Sequence, residues 1–397
     1  VIYYQQSKDF NQIRAVKKAV TDMRHTIAFP TGLWAGDEML RFGNPNLGSE
    51  LCSAVEMMFS LEEMLEITGD VQWADHLERI SYNALPTQIT DDFSARQYFQ
   101  QVTPHDDTDN LYGVLTGYPC CTSNLHQGWP KLVQNLWYAT ADNGIAALVY
   151  APSRVTARVG GGTEVTVTEE TAYPFEEQIS FHISFPGKKA DNAFFPFHLR
   201  IPSWCKDPVI RLNGEVIGID TYPGEIVRIQ REWQAGDRLT LELPMQLEAS
   251  RWYDGAAVIE RGPLLYALKM HEKWEKKTMD PDKVKKYGEW YNEVQTDTPW
   301  NIALGAHQLL PEQINDHFRV VKETTVASYP WTRDTAPVTI KGKGYIIPSW
   351  TLYKGSAGSV SFYTQMGSDT TEEVEIELIP YGCTTLRITA FPVRNRQ

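Results

Sequence analysis

The sequence predicts an α+β multidomain protein in which a helical portion is followed by one or two β-sandwiches. Three observations predict it. Apolar residues recur at a helical period through roughly the first third of the chain. Beyond about Asn143 they alternate at period two, in many short runs. Those runs are separated by Gly, Pro, Asn and Asp turns such as Leu212-Asn213-Gly214. A length of 397 residues is enough for two or three domains with sizeable cores.

In order, Asp9–Arg24 is helical through Phe10, Ile13, Val16, Ala19, Val20 and Met23. Glu50–Thr68 repeats the pattern and stops at Gly69-Asp70, and Val71–Leu85 stops at Pro86. Ser123–Thr140 reads as a fourth helix, with Ser123 or Asn124 as its N-cap and Pro130 marking a kink or a late start. Between the third and fourth helices Thr87–Pro119 reads as a long irregular loop, a length that usually signals function. Strands follow at Ile145–Tyr150, Arg154–Val159, Thr163–Val167, Ile179–Phe185, Phe195–Ile201, Val209–Leu212, Ile226–Gln230 and Arg238–Leu243. The lysine-rich Met270–Tyr287 reads as a solvated excursion, and Ile302–Leu310, Glu373–Pro380 and Thr385–Phe391 complete the β part. The expected division is a helical portion over 1–142, a β-sandwich over 143–270, and an excursion with further sandwich strands over 271–397.

The net charge is −13 and the pI is near 5.2, with no Lys/Arg cluster. Nucleic acid and anionic membrane surfaces are therefore excluded as expected partners. No apolar run reaches the ~20 residues that cross a bilayer. The sequence starts at Val1 without an initiator Met, so the native N-terminus is expected to be missing. A soluble protein is expected, cytoplasmic or periplasmic. Twelve Trp and 19 Tyr suit either carbohydrate binding or large β-domain cores. Five cysteines at wide spacing do not form a disulfide framework.

Four of the residues stand out chemically. Glu50 and Cys52 sit at a helix start, and Cys120-Cys121 sit before another. One carboxylate and three thiolates are donors that zinc accepts in a tetrahedral shell. Helix N-termini also favour thiolates. No Cys-x-x-Cys is present, and on spacing alone buried packing cysteines remain ahead of a zinc site. Asp37-Glu38 offers a carboxyl for acid/base work or, more blandly, a helix-capping pair. His126 and Trp34 are candidates for the same pocket, with a plain helix histidine and a core tryptophan as the alternatives. Cys205 and Cys383 read as packing residues.

Together these motifs resemble a known family. Thr31-Gly32-Leu33-Trp34-Ala35-Gly36-Asp37-Glu38, Gly48-Ser49-Glu50-Leu51-Cys52, Leu77-Glu78-Arg79-Ile80-Ser81-Tyr82-Asn83-Ala84-Leu85 and Cys120-Cys121-Thr122-Ser123-Asn124 occur in order. Leu378-Ile379-Pro380-Tyr381-Gly382-Cys383-Thr384-Thr385-Leu386-Arg387 closes the set. The chain resembles the β-L-arabinofuranosidase-like glycoside hydrolases of family 127. The resemblance implies a catalytic (α/α)6 barrel, of which 1–142 would be the C-terminal part, followed by β-sandwiches. It implies zinc held by Glu50, Cys52, Cys120 and Cys121, and a retaining mechanism with Cys120 as nucleophile. It implies Glu38 as acid/base, with Asp37 the alternative because this chain has Gly-Asp-Glu in place of Gly-Glu. Gln101, before Val102-Thr103-Pro104, replaces a family tyrosine, and Tyr98 lies nearby, so both join Trp34 and His126 as candidate sugar contacts. The expected substrate is a β-L-arabinofuranoside or a related glycan. A non-catalytic glycan-binding protein with structural zinc is one alternative. A carboxylate-dependent (α/α)-barrel hydrolase or lyase is the other.

Overall fold

The computed structural model describes residues 1–36, 39–40, 42–44, 47–100, 111–186, 191–353, 356–358 and 372–394. The expected acid/base pair Asp37 and Glu38, and Gln101, lie outside the described residues. The chain folds as two compact units. The first gathers Val1–Met58, Arg79–Gly128 and Leu247–Gln397, and the second Phe59–Glu78 and Trp129–Gln246. Chain segments far apart in sequence therefore share a unit, and the strands after Leu247 join the unit that holds the N-terminal helices. Among the described residues, no helix is long and apolar enough to cross a membrane.

Helix α1 spans Ile2–Ser7 and α2 spans Phe10–Thr26, where Asp9 caps α2 by accepting from the Asn11 N–H at 2.9 Å. Helix α3, Leu51–Thr68, ends at Gly69, whose φ of 63° closes the last turn with an N–H bond to the Leu65 carbonyl. Asp70 opens α4, Val71–Arg79, by accepting from the Gln72 N–H. A wider π-type turn, Ile80–Ala84, continues α4 to Pro86, close to the expected stop. Within the first unit Asn83 donates to the Pro263 carbonyl and accepts from the Leu265 N–H, fixing this turn to the strand Leu264–Leu268.

Helix α5 departs from expectation. It runs over Cys120–Gln134, so Ser123 and Asn124 are interior residues and not N-caps. Pro119 cannot continue a helix upstream but presents its carbonyl to the N–H groups of Thr122 and Ser123. The first turn therefore begins at the cysteines. Pro130 sits inside the helix, which ends at Gln134, and Trp137–Ala139 is already a strand.

In the second unit two sheets face each other. One pairs Ile226–Gln234, Asn192–Arg200, Ile145–Ala147 and Trp137–Ala139 in that order. The other has six strands, among them Gln178–Ser184, Thr163–Thr171 and Ser153–Val159. Phe181 of the larger sheet meets Phe197 of the smaller at 5.3 Å between ring centroids, and Trp233 meets Phe197 at 5.8 Å. Each such ring removed from water stabilises the unit by about 1.5–3 kcal/mol. The expected sandwich strands here are observed, with shifted ends.

In the first unit the long loop after α4 is more ordered than its composition suggests. It carries three short strands, β2 (Arg96–Gln97), β3 (Phe99–Gln100) and β4 (Tyr112–Gly113). The lysine-rich segment is not a free excursion. Lys273–Thr278 forms a hairpin with Trp290–Gln295, and that hairpin pairs through Asn292 with Tyr112 of β4. Thr385–Phe391 is not a strand. It is an irregular segment packed into the unit, with Leu386, Ile388 and Phe391 buried. Its Ile388 carbonyl accepts from Leu268, which serves the backbone without a ladder.

Candidate metal centre

The Glu50-Leu51-Cys52 segment is positioned by pairing. Strand β1, Ser49–Glu50, runs antiparallel to β3, and the Leu51 N–H donates to the Tyr98 carbonyl at 3.0 Å. Glu50 thus ends a strand while Cys52 enters the first turn of α3. Gly48 must be small here, since a Cβ would come within 2.9 Å of Phe99.

Opposite, Cys120 and Cys121 occupy the first turn of α5. The turn before them requires Gly117, at φ 71°, where a Cβ would fall 2.3 Å from Cγ of Tyr98. Arg96, only 2% exposed, anchors both sides of this turn. Its guanidinium donates to the Tyr118 carbonyl at 2.6 Å, to the Thr122 hydroxyl at 3.0 Å and to the Thr116 carbonyl.

The four expected ligands come together. Their donor atoms, one carboxylate oxygen and three sulfurs, all lie within 4.8 Å of one another. Cys52 and Cys121 sulfurs are 3.4 Å apart, and Glu50 Oε1 is 3.7 Å from the sulfurs of both Cys120 and Cys121. Bonds of ~2.3 Å to sulfur and ~2.0–2.2 Å to oxygen in a tetrahedron require S···S near ~3.8 Å and S···O near ~3.6 Å. The residues therefore fit a zinc ion. Burial differs along the pair: Cys121 is wholly buried, Cys52 half-buried and Cys120 exposed.

Electrostatics point the same way. The Cys52 thiol is held far above its usual range, first by its hydrogen bond with Cys121 and then by burial. Burial and the neighbouring Cys52 also raise Cys120. Crowded thiols resist ionising side by side unless a cation joins them. Opposing this, the Asn124 side chain hydrogen-bonds Cys52, and the Cys121 N–H at the helix start bonds the Cys120 sulfur.

The other candidates fall differently. His126 is exposed, with Nδ1 3.3 Å from the Thr122 carbonyl of its own helix. Tyr98 is buried, its ring between Phe99 at 4.5 Å and Tyr118 at 5.9 Å. Trp34 is half-buried and bridges to Ala28. Gly36, the residue before Asp37, donates to the Gly48 carbonyl at 2.9 Å and bridges to Ser49. Cys205 and Cys383 are buried, as expected for packing residues. Sequence reasoning missed Arg96 and Asn124. Asn124 was in the quoted motif, three positions after the cysteine pair, which was a usable signal. Arg96 carried none.

Residues 2–134 match the model of the β-L-arabinofuranosidase GH127 catalytic domain, and 144–245 match that of the GH127 middle domain. A curated relative, the non-reducing end β-L-arabinofuranosidase of Bifidobacterium longum subsp. longum, is 26% identical over 245 residues. That alignment covers 56% of this chain and 36% of the relative. Among solved structures, a glycoside hydrolase superposes with a TM-score of 0.71 at 18% identity, over 99% of this chain and 64% of that one. A GH127 β-L-arabinofuranosidase from Geobacillus stearothermophilus T6 gives 0.67 at 20%, over 94% and 55%. The chain thus spans about a third of the curated relative and just over half to nearly two thirds of these solved ones. With both domain models of one family matched in order over more than half its length, the chain belongs to the β-L-arabinofuranosidase family of glycoside hydrolases, GH127.

Proposed function

We propose that this chain carries the nucleophile and metal site of a retaining glycosidase acting on β-L-arabinofuranosides or a related glycan. We read residues 1–142 as the C-terminal part of an (α/α)6 barrel. The observation that carries the proposal is the division within the cysteine cluster. Three sulfurs and Glu50 converge, and of the three cysteines Cys120 is the exposed one, the residue an incoming sugar would meet.

Glu50, Cys52, Cys120 and Cys121 would hold zinc, which keeps thiolates ionised at neutral pH. The Cys120 thiolate attacks the anomeric carbon as the glycosidic C–O bond breaks, giving a thioglycosyl enzyme. Glu38, or Asp37 in its place, donates a proton to the departing oxygen. The same carboxylate then takes a proton from water as the water oxygen displaces Cys120, so configuration is retained after two inversions. Arg96 keeps the Cys120 turn in place for both steps. His126, Trp34, Tyr98 and Gln101 remain the proposed sugar contacts.

Product configuration decides the matter. An aryl β-L-arabinofuranoside turned over by the chain, or by the longer protein containing it, should release the β-anomer first in an NMR time course. Cys120→Ser should abolish turnover. Initial release of the α-anomer, or normal turnover by Cys120→Ser, would sink the mechanism. Zinc bound with no turnover of any glycoside would favour a non-catalytic glycan binder.

A further inference from the structure

Apart from the Glu50–Cys52–Cys120–Cys121 cluster, the first unit holds a cavity of about 330 Å³ walled by the segment after α4, the Lys273–Gln295 hairpin and the 331–334 and 382–385 turns, with Cys383 in its lining. That is the lower end of the range for small-ligand sites. Its lining mixes two tryptophans with polar groups. Trp274 is 42% exposed, and its indole N–H is fixed on Glu272 at 3.1 Å. Trp331 is backed by Tyr82, stacked at 6.1 Å and 8°. Both rings are thus held in fixed orientations.

The polar lining is mostly satisfied. Glu272 accepts from the Thr385 and Leu386 N–H groups, Asp92 from Thr90 and Ser94, and Asp334 pairs with Arg333 at 3.0 Å. Asp91 is different. It takes part in no hydrogen bond or ion pair among the described residues and is exposed at the cavity wall. The partly enclosed place of its carboxyl and the nearby Glu272, Asp334 and Asp92 raise its pKa, against the opposing charge of Arg333. Donors supplied by a ligand would relieve it.

The cavity also has a defined place relative to the cysteines. Asn292 lines it and pairs with Tyr112 of β4, and Tyr112 pairs in turn with Gln97 of β2. Two strand spacings make that about 10 Å. Arg96, next to Gln97, bonds Thr122 beside the cysteine pair. One sheet therefore runs from the cavity wall to the turn that carries the cysteine pair.

We propose that this cavity is a second carbohydrate subsite, holding a sugar residue of the glycan other than the one whose bond is cleaved. Tryptophan faces cover the C–H face of a sugar ring, while Asp91 and Asn292 take its hydroxyls. The proposal rests on the glycosidase reading above, and its test separates the two. Binding of an L-arabinofuranosyl trisaccharide and of the methyl monosaccharide glycoside is measured by calorimetry on the 397-residue chain bearing Cys120→Ser, so that nothing is hydrolysed. Adding Trp274→Ala should weaken the trisaccharide about tenfold, as expected for losing an aromatic anchor. Asp91→Asn, which preserves shape, should weaken it severalfold, and neither change should move monosaccharide binding. Trisaccharide affinity unaltered by both changes, or absent before them, overturns the subsite. So does saturation of the cavity by tetramethylammonium in place of the sugar. Failure of the longer protein containing this chain to hydrolyse glycosides, with Trp274-dependent binding intact, would overturn the glycosidase reading and leave the subsite standing.

Discussion

The sulfurs of Cys52 and Cys121 lie 3.4 Å apart although 69 positions separate them. Two local devices produce this: the β1–β3 pairing that aims the start of α3, and the Pro119 turn that starts α5 at Cys120. As neutral thiols the two share only a weak S–H···S bond, whereas a cation would join them as a ligand pair. The chain should therefore bind about one zinc, and Cys121→Ala should reduce affinity at least ~100-fold, more than removal of an outer-sphere partner would. Cys120→Ser, which keeps an oxygen donor, should cost less. Competition with a chromogenic chelator measures both. Equal affinity in Cys121→Ala and the parent chain would end the metal assignment.

The parts of this protein that were legible in its sequence are those written locally. Helix α3 and its stop at Gly69, the α4 stop near Pro86 and most sandwich strands follow from period and turn residues, while the strand Trp137–Ala139 read as the end of a helix. The Glu50, Cys52, Cys120 and Cys121 group was legible as residue types but not as a cluster, because spacing does not say which helix starts meet. What stayed hidden depends on distant pairing. The Thr87–Pro119 stretch looked irregular because its strands are two residues long, with β3 paired to β1 and β4 to the 290–295 strand. The lysine-rich segment looked solvated because its charged side chains do face water. Its backbone nonetheless completes the sheet beside the site.

Arg96 is the least predictable member of the site and one of the most consequential. A buried guanidinium bonded to Tyr118, Thr122 and Thr116 holds the loop in register with the first turn of α5. Lysine keeps the charge but not the fork. Arg96→Lys should destabilise the protein by about 2–4 kcal/mol through unpaired carbonyls. It should also weaken zinc roughly tenfold, the range for supporting residues. Urea unfolding with and without zinc tests this. A variant of unchanged stability and zinc affinity would show the contacts to be idle.

Gly117 makes a sharper test of the same turn. Alanine there must adopt a φ of 71° and push the Tyr98 ring from 2.3 Å. The backbone term alone costs about 1–2 kcal/mol, and the overlap adds to it. Gly117→Ala should lower stability by at least about 2 kcal/mol and broaden the Co²⁺–thiolate absorption of the substituted site. A well-folded variant with the parent spectrum would contradict the turn as described.

Glu62 gives the second unit a pH dependence. Its carboxylate is 1% exposed, accepts from Asn135 at 3.2 Å and leaves Oε1 without a partner among the described residues. Burial pushes its pKa up to about 7, although Lys131 opposes the shift. In the unfolded chain the group titrates near ~4.3. Between those values the unfolded chain has released a proton that the folded unit retains, so stability is full below about pH 4.3 and falls as pH rises to about 7. The loss above pH 7 is on the order of 3 kcal/mol. Glu62→Gln keeps the shape and the Asn135 contact without the charge. It should be nearly neutral at pH 4.5 and stabilising by roughly 1–3 kcal/mol at pH 8 in urea unfolding. Equal effects at the two pH values would mean that Glu62 ionises in the folded unit at little cost.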